Sequence, residues 1–193
     1  MTLSRAAAYQ LMTEWTESDS LRKHMLAVEA AVVAYARQFG EDETKWAVTA
    51  LLHDFDYERY PTIGENGHPV VGVRQLRQLG YPEEVLEAIL GHADFLEVPR
   101  TSLLAKTLYA CDEVTGLITA AVLVRPDKDI AHLEVGSLKK KFKDKAFARG
   151  VNREDIRRGA LELGIELWEH VSFVLAAMQQ SAAVLGLDGR LAR

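Results

Sequence analysis

Apolar residues recur at three- and four-residue steps along most of the chain, the spacing of helices with one buried face. Between Ser20 and Phe39, the positions Leu21, Met25, Val28, Val32, Tyr35, Ala36 and Phe39 fall on one stripe, and Gly40 follows as a stop. Trp46, Ala47, Ala50, Leu51 and Asp54 continue the pattern over about Glu43 to Phe55. Tyr57 to Gly67, with Pro61, Gly64, Asn66 and Gly67, reads as a loop. A helix over about Pro69 to Leu79 ends at Gly80. The next opens at Pro82, with Glu83 and Glu84 in the first turn where the helix dipole favours acids, and runs to about Ala93. A long apolar helix spans about Ser102 to Val124, and Pro126 stops it. Short helices are expected around Ser137–Lys143 and from Asn152. A last one is expected over about Leu161 to Leu185, interrupted in pattern near Gly164. No alternating run is long enough for a strand. The pattern predicts an all-α bundle of eight or nine helices in one domain over 1–193, with a core over about 20–125 and a C-terminal helical extension over 126–193.

Composition narrows this picture. With 48% hydrophobic and 26% charged residues in 193, the chain is a globular protein rather than a disordered one. Its one cysteine, Cys111, excludes an intrachain disulfide framework and a Cys-based zinc finger. The apolar run Leu117–Val124 is too short to span a bilayer and stops at Arg125. The N-terminal residues lack the apolar stretch of a secretory signal, so a cytoplasmic location away from membranes is expected. The net charge of -5 is uneven: residues 137–158 hold nine basic and three acidic side chains, a net +6, leaving −11 elsewhere. An acidic body argues against a nucleic-acid polymer as partner, and the basic segment reads as a local anion site.

The chemistry-bearing residues gather in the helical pattern. His53-Asp54 ends an otherwise apolar helix, Ala47-Val48-Thr49-Ala50-Leu51-Leu52. Asp112 sits within the apolar Leu108-Tyr109-Ala110-Cys111 helix, and His24 shares the inward face of Leu21 and Val28. Burying imidazoles and carboxylates is costly unless they are paired or bind a metal. Singly, each has an ordinary alternative: His24 as a hydrogen-bonded histidine, Asp112 paired with Lys106 or Arg125. Together, His and Asp donors without thiolates suit Mn, Fe, Co, Ni or Zn in an open, water-carrying site.

The order His24, His53-Asp54, Asp112 and the local run Ala50-Leu51-Leu52-His53-Asp54-Phe55 resemble the HD superfamily, over about residues 20–125. Its members are all-helical, metal-dependent enzymes, mainly phosphohydrolases. The resemblance implies an HD-type bundle in which His24, His53, Asp54 and Asp112 ligate one divalent ion. His68 and His92 occupy the places of two further family histidines and would complete a second site, with Asp54 bridging. The implied activity is a phosphomonoesterase or phosphodiesterase acting on a nucleotide or other small phosphate ester through a metal-bound hydroxide. A di-iron oxygenase of the same superfamily would use the same ligands, and a non-catalytic metal-binding module is the remaining alternative. The cyclic-dinucleotide phosphodiesterases are set aside, because Gly80-Tyr81-Pro82 precedes His92 instead of following it.

Three further roles are expected around this set. Lys139, Lys140 and Lys143 are candidates to hold the phosphorylated substrate, with Lys139 and Lys143 on one helix face and Phe142 anchoring the segment to the core. Asp56 is a candidate acceptor orienting a ligand histidine, and Glu113 a candidate general acid or base beside Asp54 in the catalytic set. His132 and His170 fit no ligand place. Homo-oligomerisation through the apolar 171–185 stripe stays open beside its ordinary role as core.

Overall fold

The computed structural model describes residues 2–62 and 64–192. Among them lie ten α-helices and no strand: α1 (Arg5–Trp15), α2 (Asp19–Phe39), α3 (Glu43–Leu52), α4 (Val70–Gln78), α5 (Glu83–Gly91), α6 (Leu103–Leu123), α7 (Val135–Lys143), α8 (Arg153–Leu163), α9 (Leu167–Gln180) and α10 (Ala182–Leu185). The all-α prediction holds, with ten helices where the pattern indicated eight or nine. One addition is α1, which buries only Ala8 and Met12 and so leaves a weak apolar stripe. The other comes from the expected Leu161–Leu185 helix, which is three pieces. Gly164, at φ 71, closes α8 by donating its N–H to Ala160 and Leu161 carbonyls, a conformation that costs glycine little. Glu166 then starts α9 by accepting the Trp168 and Glu169 N–H groups, and the helix breaks again at Ser181.

Polar caps fix four other starts. Ser18, Asp42, Ser102 and Asn152 each accept N–H groups from the first turn of α2, α3, α6 and α8, interactions worth about 1 kcal/mol each. α2 and α3 each serve two hydrophobic clusters. Val28, Val32, Tyr35, Trp46 and Ala50 join Leu108, Leu117, Ile118, Val171, Val174 and Met178 in one. Met25, Val48, Leu51 and Leu52 join Met12, Phe55, Leu76, Leu86 and Ile89 in the other. The seam between the clusters is where polar side chains of α2, α3 and α6 meet. Phe142 is buried in the first cluster and Phe147 and Val151 pack on it, so the basic segment is anchored as expected.

The C-terminal helices grip α6 closely. A Cβ on Gly159 of α8 would lie 2.5 Å from the Ala110 Cα, so this crossing demands glycine. At the same residue, buried His170 of α9 takes a hydrogen bond from the Tyr35 hydroxyl at Nδ1 (2.7 Å) and donates Nε2–H to the Ala110 carbonyl (2.8 Å). Burial lowers the His170 pKa and raises that of Tyr35, which keeps this pair neutral. His170 is thus structural, as its place in the sequence suggested, and His132 is an exposed partner of Asp127.

Gly159→Ala should lower the unfolding free energy by about 1–3 kcal/mol, because the added methyl meets backbone. Gly136→Ala in α7, whose Cβ would meet nothing within 4 Å, should be neutral or stabilising by up to about 1 kcal/mol. Urea denaturation midpoints of the two variants check the contrast.

Candidate metal centre

The apolar run of α3 buries every residue from Trp46 to Leu52 and delivers His53 at its C-cap position, fully buried. The chain then turns, so that Asp54, Asp56 and Tyr57 follow in a tight loop in which Tyr57 N–H donates to the Asp54 carbonyl. α1 and the α1–α2 junction hold this loop. The Thr16 hydroxyl donates to the Phe55 carbonyl (3.1 Å), and Glu58 accepts the N–H groups of Glu17 and Ser18. Arg59 stacks over Trp15 while donating to the Glu14 and Trp15 carbonyls.

Six side chains converge there in two sets. His24 of α2 places Nε2 3.0 Å from Asp112 Oδ1 on α6 and 3.6 Å from Asp54 Oδ2. His53 Nε2 lies 3.5 Å from the same Asp54 oxygen and 3.7 Å from Asp112 Oδ1. The other Asp54 oxygen, Oδ1, lies 3.2 Å from His68 Nε2 and 3.4 Å from His92 Nε2, and those two nitrogens are 3.2 Å apart. Asp54 therefore turns one oxygen to each set. In each of the triads His24–His53–Asp112 and Asp54–His68–His92 the donor atoms lie within 4.8 Å of one another. With bonds of about 2.1 Å, neighbouring donors around one ion are about 3 Å apart, so the spacing suits a cation in each set.

The hydrogen bonds behind the imidazoles face the same way. His53 donates Nδ1–H to the Ala50 carbonyl (2.7 Å), His68 to Asp56 Oδ1 (2.7 Å) and His92 to the Ile89 carbonyl. Each leaves its Nε2 lone pair pointing into the site, and His53 Nε2 is buried with no hydrogen-bond partner. An orphaned lone pair facing carboxylates, and two more lone pairs facing each other, are arrangements that a divalent ion satisfies. Without it, protons do the work. Burial alone would lower the pKa of His53 and His68, but Asp54 and Asp112 around His53, and Asp54 and Asp56 around His68, outweigh it and hold each at about 9. Burial likewise opposes ionising Asp54 and Asp112, yet the histidines keep both well below the usual carboxylate range.

Asp56 is where the sequence placed a supporting acceptor. It is buried, takes the His68 Nδ1–H on Oδ1 and accepts the Gly72 N–H on Oδ2 (2.6 Å). A Cβ on Gly72 would fall 2.7 Å from that carboxylate, a close approach the sequence did not reveal. Glu113 is half-buried one residue beyond Asp112, with Oε2 accepting the Asn152 N–H at the start of α8 (3.0 Å); burial first, then the Asp112 charge, pushes its pKa up to about 7. The lysines stand apart from the six. Lys139 lies over Trp168 (5.3 Å) and Lys140 and Lys143 are exposed, and among the described residues no hydrogen bond or ion pair joins these three to the cluster.

A polar network missed in the sequence backs the His92 side. Arg100 donates to the Gly91 carbonyl (2.7 Å), to Asp94 and, through two nitrogens, to Glu162 of α8. The Tyr109 hydroxyl donates to Asp94 (2.9 Å), and Arg158 pairs with the same carboxylate. The one available signal was spacing: Asp94 is two residues past His92, and Tyr109 is one turn before Asp112.

The family model described as HD domain matches residues 21–117, which contain all six converging side chains. No curated protein and no solved structure matches the chain.

Asp56→Asn leaves a single side-chain oxygen to accept two N–H groups, so either Gly72 or His68 loses its partner. The affinity for the second of two Mn²⁺ ions should fall about 10–100-fold while the first is retained. Isothermal titration resolving two binding steps checks this, and equal weakening of both would contradict it.

Proposed function

Since the chain belongs to the HD domain family, we propose that it is a metal-dependent phosphohydrolase that cleaves a small phosphate ester, a nucleotide among the candidates. The observation that carries this reading is the division of the Asp54 carboxylate, Oδ2 toward His24 and His53 and Oδ1 toward His68 and His92. His24, His53, Asp54 and Asp112 would hold one divalent transition metal ion (Mn, Fe, Co, Ni or Zn), and Asp54, His68 and His92 a second. Two such ions, when bound, lower the pKa of water toward neutrality and neutralise the oxygens of a phosphoryl group.

The protein's own groups supply orientation and proton handling. The Nδ1–H bonds to Ala50, Asp56 and Ile89 lock the imidazole rings, so the donor atoms need not reorganise when substrate arrives. Glu113, pushed up to about 7, holds a proton near neutral pH and is the group in reach of the cluster suited to protonate a leaving oxygen. The basic segment is assigned to the substrate's negative charge, and its Lys143 end is favoured. After Lys143 the chain enters the turn 144–151, where the Arg153 guanidinium donates to the Ala148 (2.6 Å), Val151 (2.7 Å) and Phe147 carbonyls. Ala148 is held there at φ 44, a conformation that costs a non-glycine residue energy. Just past the turn, the Asn152 N–H docks on Glu113, the neighbour of Asp112, and this anchor supports assigning the segment's charge to that side of the cluster. Lys139 and Lys140 lie earlier on α7 and are assigned an outer, long-range share of the same role.

Phosphate release from a panel of nucleotides and phosphomonoesters, with added Mn²⁺, tests the reading. Wild type should release phosphate from part of the panel, and Asp54→Ala should lose both metal and at least about 10³-fold in turnover, since it removes a ligand from both ions. An Asp54→Ala variant with full activity would contradict it. Absence of release by wild type, with oxygen uptake after anaerobic iron loading, would favour the oxygenase chemistry instead.

A further inference from the structure

Beside the cluster opens a groove of about 400 Å³, lined by Ser18, Ser20, Leu21, His24, Tyr57 and Glu58. Metal ligation accounts for His24 alone. Tyr57 is 47% exposed, although a large aromatic ring gains by burial. Its ring stands perpendicular to that of His68 with centroids 5.3 Å apart, so one side chain both lines the groove and packs against a donor of the other set. The next residue, Glu58, is fixed in place. Its Oε2 accepts the Glu17 (3.0 Å) and Ser18 (2.9 Å) N–H groups, and among the described residues Oε1 has no protein donor. The groove thus combines a free aromatic face, the apolar flank of Leu21 and one rigid acceptor, and it adjoins the donor atoms.

Resting on the phosphohydrolase reading, we propose that this groove is the leaving-group subsite, and that Tyr57 sets specificity for phosphate esters of a planar, uncharged group bearing N–H or O–H donors. The ring of Tyr57 offers a stacking surface that any flat heterocycle can use. Glu58 Oε1 accepts a donor from the leaving group, and its negative charge disfavours a leaving group that is itself a phosphate.

The test compares kcat/KM of the Mn²⁺-loaded protein for a nucleoside 5′-monophosphate and for glycerol phosphate, which has no ring. Tyr57→Leu should lower the ratio of the two values about tenfold, through KM for the nucleotide, as expected for one lost stacking contact. Tyr57→Phe should restore the ratio, and metal content should match wild type in both. A ratio unchanged in Tyr57→Leu overturns the assignment while leaving the hydrolase reading intact, and so does equal loss on both esters. Release from neither ester by wild type overturns the hydrolase reading, and the subsite with it.

Discussion

The Nε2 atoms of four imidazoles and the oxygens of two carboxylates face one another across 3.0–3.7 Å in the seam between two hydrophobic clusters. Such a concentration of acceptors, most of it shielded from water, is tolerable only with positive charge inside it. In the metal-free protein protons supply that charge, which is why His53 and His68 hold theirs to about 9 while Asp54 and Asp112 stay ionised. Divalent ions would take the place of those protons on the same donor atoms. The requirement to keep the set assembled explains much of the surrounding structure.

That support comes from both ends of the chain. At the N-terminal end, α1 and its junction with α2 hold the loop carrying Asp54 and Asp56, through Thr16, Arg59 and Glu58. At the C-terminal end, α8 is hooked beside both donor sets. Its first residues meet Glu113, next to Asp112, and its last turn meets Arg100, which holds the carbonyl just before His92. Both α8 contacts join the matched region 21–117 to residues beyond it, so the C-terminal helices stabilise the frame on which the donors sit. The glycine at 159 lets α8 approach α6 closely enough to make them.

Much of this was legible in the sequence because helices write their burial into a 3.6-residue period. The long faces of α2, α3 and α6 and the placement of His24, His53 and Asp112 on them followed from that period, and the joint order of the histidines and aspartates pointed to the family. Asp56 was legible by proximity, two residues past Asp54. α1 was not, since Ala8 and Met12 are too few to mark a face. Gly164 marked an interruption, but the period alone does not separate a kink from a stop; the left-handed φ and the Glu166 cap decide it. The Arg100–Glu162 pair spans 62 positions, beyond any local pattern. The lysine segment was visible as charge, but its exposed side chains carry no geometry that the spacing could fix; the turn that follows it depends on Arg153 collecting carbonyls.

The central claim is that one carboxylate joins two ions, and the magnetic state of the manganese-loaded protein addresses it directly. Electron paramagnetic resonance of protein titrated with Mn²⁺ under metal-limited and saturating conditions, with metal content measured alongside, would be the measurement. A shared Asp54 predicts two ions per chain at saturation and an exchange-coupled signal that replaces the isolated-ion spectrum. One ion per chain, or two ions whose spectra stay uncoupled, would contradict the bridge.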